Sequence, residues 1–315
     1  MPNFVEYYFE RYGDLELHRT MIGDERRTKA FADAISEVVK PGDVVLDVGT
    51  GTGVLAMLCA KAGAKRVYAI DQAAVAQSAA NLVKANGLQD IVTIKRGAAT
   101  DLELDEPVDL IVSEWLGNFA YVEGMWDDLA IVRDRFLKPE GRMLPSDVDI
   151  LLSPIDDSSL YYGLGPGYWR KPVHGLDFSL LEEKELGQSR ASQIRVDPAS
   201  LITQPQVLTS TDLKSVPAGE HWFESVNTLK IERTAVVTGF AAWFQARLSP
   251  HVVLDTSPYL PETHWAQTVL NWPPTSVKAG DEISLALRAR PDPEEHRHVR
   301  LDVEWNQVSF SYRLE

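Results

Sequence analysis

Two glutamates stand nine positions apart in the apolar stretch Ser113-Glu114-Trp115-Leu116-Gly117-Asn118-Phe119-Ala120-Tyr121-Val122-Glu123-Gly124-Met125. Nine residues at about 100° each turn a helix through roughly half a circle, and an odd separation along a strand also reverses the face. Glu114 and Glu123 can therefore converge only if the segment is a loop, and Gly117 and Gly124 supply the backbone freedom for one. Convergent carboxylates in an apolar loop repel each other and raise a pKa unless a cation lies between them. A planar guanidinium with its five N–H donors suits such a clamp best. The plainer alternative is a helix that starts at Glu114 and leaves Glu123 in solvent.

Two further groups of polar side chains invite a chemical reading. His18, Met21, Asp24 and Arg27 gather just ahead of the apolar face made by Phe31, Ile35, Val38 and Val39. Far downstream, Glu262-Thr263-His264-Trp265 carries an isolated histidine, a type that is more often structural than catalytic. The single cysteine, Cys59, lies in an apolar helical run and reads as core filler. One cysteine excludes an internal disulfide and a multi-cysteine metal site, so no metal is expected, and it suits a reducing, cytoplasmic setting.

The elements that must position these groups follow an alternating pattern. Residues 3–39 read as helical, with Phe4, Tyr8 and Tyr12 on one stripe and a second helix capped by Asp24 and stopped by Pro41-Gly42. Val44 to Val48 reads as a buried parallel strand, and Gly49, Gly51 and Gly53 turn it into the helix Val54–Ala62. Such glycines let backbone N–H groups approach a ligand closely, at a helix start that favours negative charge. Val67 to Ile70 is a second strand ending at Asp71, about twenty positions on, where a ribose diol is held. The spacing Gly-x-Gly-x-Gly after Asp47 differs from the Gly-x-Gly-x-x-Gly of dinucleotide sites, which points to S-adenosylmethionine, with NAD as the alternative. A helix near 73–86 and strands at 91–95 and 108–113 follow, the last delivering the two-glutamate loop at its carboxyl end. A helix from about 125 to 137 and Lys138-Pro139-Glu140-Gly141 close this domain, and the character changes near Leu144-Pro145.

Beyond residue 146 the pattern is β, with strands at 228–231, 236–247, 282–288 and 299–314, the last carrying a bulge near Asn306. Residues 157–190 break that pattern and are rich in Tyr, Gly, Pro and Trp, the composition of a surface that meets a partner. The fold class is thus α/β, Rossmann-like and then β-rich, with units at 1–40, 41–146 and 147–315.

A net charge of −15 argues against nucleic acid as a partner and favours a cationic substrate. No run of 18 apolar residues occurs, so no membrane span is expected, and Met1 to Glu10 shows neither the basic nor the apolar region of a signal peptide.

Taken together, Tyr-Phe-Glu-Arg-Tyr (8–12), the His18/Met21/Asp24/Arg27-Thr28 cluster, Val-Leu-Asp-Val-Gly-Thr-Gly-Thr-Gly (45–53), Ser-Glu-Trp-Leu-Gly…Glu-Gly-Met (113–125) and Thr-His-Trp (263–265) resemble the protein arginine methyltransferase family over nearly the whole chain. The glycine motif is shared by many methyltransferases, whereas the paired-glutamate loop with Thr-His-Trp is specific to this family. The resemblance implies a class I methyltransferase domain, covered by N-terminal helices and followed by a β-barrel. It implies that Asp47, Gly49, Gly51 and Gly53 line S-adenosylmethionine, that Asp71 holds its ribose, and that Arg27 with His18 binds its carboxylate. Glu114 borders the cofactor and grips the substrate guanidinium together with Glu123. Met21 and Met125 crowd the accepting nitrogen, His264 pairs with Asp24, and Tyr12 and Trp265 join the substrate site. Residues 157–190 match the family's helical dimerisation arm, implying a head-to-tail homodimer. Three positions depart from the pattern: Asn118 in place of a tyrosine, Asp71 in place of a glutamate, and Gly97-Ala98-Ala99-Thr100 in place of a glutamate near adenine. The acceptor implied is arginine in a protein or peptide; free arginine or a small guanidino compound, or a catalytically silent scaffold, are the alternatives.

Overall fold

The computed structural model describes residues 14–188 and 191–315; Phe4, Tyr8 and Tyr12, and with them the first helical stripe, lie outside the described residues. Five strands form a wholly parallel sheet: β1 (Val44–Val48), β2 (Arg66–Asp71), β3 (Val92–Arg96), β4 (Val108–Val112) and β5 (Leu137–Leu144), in the order β3-β2-β1-β4-β5. Every residue of β1 is buried, as a strand covered on both faces requires. The order reverses between β1 and β4, so the chain leaves those neighbouring strands in opposite directions and opens a crevice at their carboxyl ends. The glycine turn leaves one of these two strands and the glutamate loop leaves the other. The topology thus brings the two sequence motifs to one edge.

Helices α1 (Leu15–Gly23) and α2 (Glu25–Val38) precede the sheet. Asp14 caps the first, its Oδ1 accepting the Glu16 N–H at 2.9 Å, and Asp24 caps the second. Phe31, Ala34 and Ile35 bury the inner face of α2. Helices α3 (Val54–Lys61), α4 (Val75–Ala85) and α5 (Trp126–Phe136) complete the domain.

The second half is antiparallel. Strands β6 (Asp147–Ile155), β7 (Ser192–Ile194), β8 (Gln206–Asp212), β10 (Ala235–Arg247), β11 (Val253–Asp255) and β12 (Gln267–Val277) form one sheet. Strands β9 (Glu224–Lys230), β13 (Glu282–Pro291), β14 (Val299–Trp305) and β15 (Val308–Leu314) form the other. The two sheets make a barrel-like unit whose interior is aromatic. Phe240 and Trp272 meet at 5.4 Å between ring centroids, and Trp272 and Trp305 at 5.9 Å. Residues 157–190 include the helices Ser158–Gly163 and Leu180–Gln188 with a 3-10 turn, Pro166–Arg170, between them. Glu182 ties them together, accepting from the Tyr161 hydroxyl at 2.9 Å and from Arg170 Nε at 2.5 Å. The arm keeps Leu164, Leu176 and Leu180 largely exposed.

Two sequence expectations need correction. Lys138-Pro139-Glu140-Gly141 does not end the domain but lies within β5. The register slips there, from Val108 opposite Leu137 to Leu110 opposite Arg142, so the proline sits in a bulge of an edge strand where no ladder bond is lost. The parity change near Asn306 is a hairpin and not a bulge: Asn306 and Gln307 both have positive φ, and Trp305 pairs with Val308. Pro273 and Pro274 interrupt the pattern of strand β12; they occupy the irregularity between the Gly239–Asn271 and Val237–Thr275 pairs. Among the described residues no helix is long and apolar enough to cross a membrane.

Candidate active site

Asp47 makes the glycine turn possible. Its Oδ2 accepts the Thr50 hydroxyl at 2.6 Å and the Ala56 N–H at 3.0 Å, pulling the chain back over the end of β1. Burial raises its pKa to about 7 against the opposing effect of those two donors, and the charge of Asp71 adds to the rise. Asp47 is fully buried beneath the turn it shapes. Gly49, Gly51 and Gly53 all take left-handed φ values.

Two of these glycines report what closes over the turn. A Cβ on Gly49 would lie 3.0 Å from the Met125 methyl, and one on Gly51 would lie 3.1 Å from His18 Cε1. The glutamate loop therefore approaches the turn through Met125, and α1 approaches it through His18. At the tip of β2, Asp71 Oδ2 accepts the Gly51 N–H at 2.8 Å and Oδ1 accepts the Ala73 N–H at 2.7 Å. Burial raises the Asp71 pKa, while the two N–H groups and the nearby His18 oppose the rise. Each carboxylate oxygen keeps a further lone-pair direction for a diol hydroxyl.

The stretch 113–125 is a loop, as the convergence argument required; no helix starts at Glu114. Ser113 pins its root, donating to the Val48 carbonyl at 2.6 Å and joining the ends of β4 and β1. Gly117 and Ala120 exchange backbone hydrogen bonds at 2.9 and 3.0 Å, folding the loop on itself. Trp115 packs between Trp126 and Tyr121, with centroids 5.3 and 5.6 Å away. His221 lies 4.6 Å from the Tyr121 ring, and burial lowers its pKa to about 4 against the pull of Asp127, so it is neutral near pH 7.

The Glu114 side chain is largely buried and is occupied by a guanidinium from its own chain. Its Oε2 accepts Arg27 Nε at 2.9 Å and Nη2 at 2.5 Å, while Oε1 accepts the Leu116 N–H at 3.0 Å. Arg27 Nη1 also donates to the Met21 carbonyl at 3.2 Å. The carboxylate expected to hold a substrate and the arginine expected to hold a cofactor thus meet directly. Glu123 is half-buried, with φ at 86°.

Asp24 joins the helices to the barrel. Its Oδ1 caps α2 through the Arg27 N–H at 3.0 Å, and its Oδ2 accepts the His264 N–H at 2.9 Å with His264 Nδ1 at 2.8 Å. Burial alone would raise its pKa, but these donors prevail and hold it at about 2. Trp265 is buried, and its indole N–H donates to the Leu116 carbonyl at 2.7 Å. It anchors the glutamate loop to the barrel. Arg26 extends the same seam, donating to the Asp255 carbonyl at 2.8 Å and to that of Pro261. The residue sequence reasoning missed is Arg297, which bonds the Glu123 backbone; 174 positions separate them, and no local pattern marks the contact. Among the described residues no cluster of three metal-ligating side chains occurs.

A parallel sheet with a glycine turn at its reversal point and an acidic end on the adjoining strand β2 is the frame of a class I methyltransferase domain, here joined to an antiparallel barrel. Residues 149–309 match the model of the arginine methyltransferase oligomerization subdomain, and residues 22–147 match that of ribosomal protein L11 methyltransferase. Protein arginine N-methyltransferase 1 of Schizosaccharomyces pombe is 34% identical over 95% of this chain and 89% of its own length. A probable protein arginine N-methyltransferase 6 of Arabidopsis thaliana is 32% identical over 98% of this chain and 81% of its own. Among solved structures, the Trypanosoma brucei PRMT1 enzyme-prozyme heterotetrameric complex with AdoHcy superposes with a TM-score of 0.89 at 30% identity, covering 96% of this chain and 99% of that one. Arabidopsis protein arginine methyltransferase 10 gives 0.85 at 29% identity, covering 98% and 100%. The chain belongs to the protein arginine N-methyltransferases.

Proposed function

We propose that this protein transfers a methyl group from S-adenosylmethionine to a terminal guanidino nitrogen of arginine in a protein or peptide. One observation carries the reading: a buried carboxylate beside the glycine turn, Glu114, grips a guanidinium through two of its N–H donors. The names of the relatives favour arginine in a protein over free arginine.

The residues present suit the cofactor. Left-handed glycines leave no Cβ between the turn and a ligand, Asp71 offers lone pairs at the β2 tip, and Arg27 offers a buried cation for a carboxylate. When bound, S-adenosylmethionine supplies an electrophilic methyl group on a sulfonium.

The protein's own contribution is to prepare the nucleophile. A guanidinium stays protonated and spreads its lone pairs over three nitrogens. The carboxylates of Glu114 and Glu123 draw positive charge toward the side they hold and leave a terminal nitrogen on the other side more electron-rich. The loop also orients that nitrogen, the proximity contribution to rate. Asp24, ionised down to about pH 2, accepts the Nδ1–H of His264 and leaves Nε2 as the ring's acceptor for a proton. Methyl transfer from labelled cofactor to an Arg-Gly-rich peptide, run beside free arginine, tests the reading. Label in the free amino acid alone would overturn the choice of acceptor, and tight cofactor binding with no transfer at all would overturn the enzyme.

The arm supports an assembly. Leu164, Leu176 and Leu180 are exposed on an element that matches an oligomerisation subdomain. Covering them with a second copy of this chain gives a homodimer, and light scattering on the intact protein tests it.

A further inference from the structure

Glu123 is held in a conformation that a glutamate rarely takes, with φ at 86°. Left-handed backbone of this kind is strained for a residue with a Cβ and persists only where the surroundings over-determine it. Arg297 does so at two points. The Glu123 N–H donates to the Arg297 carbonyl at 2.6 Å, and Arg297 Nη1 donates to the Glu123 carbonyl at 3.0 Å. The peptide groups on both sides of the Glu123 Cα are thereby fixed, and with them the direction of its Cα–Cβ bond. Gly124 lets the two chains come this close: a Cβ there would lie 3.1 Å from the His296 carbonyl oxygen and 3.2 Å from Arg297 Cα.

The segment that carries Arg297 is itself rigid. Residues 292–298 link β13 to β14 at the barrel's rim. Asp292, whose side chain is wholly buried, accepts the Glu294 and Glu295 N–H groups at 2.8 and 3.2 Å through Oδ1, and Arg300 Nε at 2.7 Å through Oδ2. Glu295 Oε1 accepts the Arg297 N–H at 3.2 Å, and the Asp292 N–H donates to the His298 carbonyl at 3.0 Å. Burial would raise the Asp292 pKa, but the N–H groups of Glu294 and Glu295 and the Arg300 guanidinium hold it below its ordinary value.

We infer that Arg297 is a positioning residue for methyl transfer: from the barrel, it aims the second glutamate of the loop at the substrate guanidinium. The inference rests on the reading of Glu123 as half of a guanidinium clamp. It also gives the barrel a part in the chemistry, because the strand end of the sheet alone leaves Glu123 unaimed.

A double-mutant cycle in the full chain tests it, using methyl transfer to an Arg-Gly-rich peptide, cofactor affinity by calorimetry and the thermal unfolding midpoint. Arg297→Ala is expected to lower kcat about 10²-fold, the scale of a misplacement near 1 Å, with cofactor affinity unchanged. Because it acts through Glu123, it is expected to cost nothing further in a Glu123→Gln background. A loss in the double variant equal to the product of the single losses overturns the inference, as does Arg297→Ala at wild-type kcat. Wild-type turnover in Glu123→Gln overturns the clamp instead, so the two failures are distinguishable. Should Arg297→Ala fail to fold, the cycle with Arg297→Lys decides in the same terms: non-additivity with Glu123→Gln supports the role and additivity overturns it.

Discussion

Arg27 and Glu114 form a buried ion pair, with both side chains less than a tenth exposed and Nη2 2.5 Å from Oε2. The pair joins helix α2 to the glutamate loop and places a guanidinium donor set and a carboxylate within one charge-assisted contact. Either member can be claimed by an outside ion: Arg27 by an anion, Glu114 by a cation. An anion held by Arg27 weakens its hold on Glu114 and leaves that carboxylate readier for a guanidinium. Cofactor binding and substrate binding are therefore expected to be positively coupled, and by linkage the coupling is reciprocal. Peptide affinity measured with and without S-adenosylhomocysteine checks this, and equal affinities would sink it.

Glu114→Gln removes half of the charge at the proposed clamp and loosens Arg27 without removing it. Turnover is expected to fall roughly 10²–10³-fold, the usual cost of deleting one electrostatic contact to a reacting group. Cofactor affinity should hold or rise, because Arg27 no longer has a full carboxylate competing for it. Arg27→Ala does the reverse and leaves a buried carboxylate alone, which costs about 3–5 kcal/mol of stability. Denaturant titrations of the two variants separate the effects. A stable, normally active Glu114→Gln protein would remove the clamp from the mechanism.

The Asp24–His264 pair ties stability to pH in one direction. The folded pKa of Asp24 is about 2, below its ordinary value of 3.8. A depressed carboxylate pKa gives stability that is present above pH 4 and lost as pH falls through the folded value, so the window runs from about pH 4 to pH 2. Asp24→Asn is expected to be less stable than wild type at neutral pH, with the gap closing across that window. A gap that stays constant down to pH 2 would show that the carboxylate's charge is irrelevant. His264→Gln, compared with wild type in a pH–rate profile, asks separately whether the ring accepts a proton; an unchanged profile assigns the proton to solvent.

Asp47 has the opposite sign. Burial raises its folded pKa to about 7, so its contribution to stability is full below its unfolded pKa and is lost as pH rises through the folded value. Asp47→Asn keeps an acceptor for Thr50 and Ala56 while removing the titration. Its unfolding free energy is expected to vary less with pH than the wild type's between about pH 4 and pH 7. Parallel curves across that range would contradict the raised pKa.

These couplings explain which parts of the site could be read from the chain. The glycine turn, Asp71 and the two glutamates follow from local spacing, because a strand, a turn and a loop are each set by neighbours in sequence. Topology then brings them together without further instruction, since β1 and β4 are adjacent at the sheet's reversal point. The barrel's contributions are not local: 240 positions separate Asp24 from His264, and 149 separate Leu116 from Trp265. Family resemblance supplied the first of those pairings; the residues alone leave His264 looking structural. The hairpin at Asn306 is hidden in the sequence for a different reason. A two-residue turn and a one-residue bulge both shift the alternation of buried side chains, so parity cannot distinguish them, whereas two consecutive positive φ values can.

Gly117 offers the sharpest separation of loop shape from cofactor binding. Its backbone pairs with Ala120, and a Cβ at this position would lie 2.3 Å from the Val122 carbonyl oxygen. That neighbour is backbone, and Val122 directly precedes the residue that Arg297 clasps, so the strain cannot be relieved by rotating a side chain. Gly117→Ala must push the loop's two arms apart, shifting Glu123 relative to Glu114. The glycine turn, Asp71 and Arg27 lie on other segments and keep their geometry. Turnover on an Arg-Gly-rich peptide is expected to fall about 10²-fold, the cost of a misplacement near 1 Å, while S-adenosylhomocysteine still binds at wild-type affinity. Calorimetry alongside the transfer assay reads both quantities on one sample. Loss of cofactor affinity in step with turnover would mean that the loop shapes the cofactor crevice itself, and that the separation between the two bound groups is not where Gly117 places it.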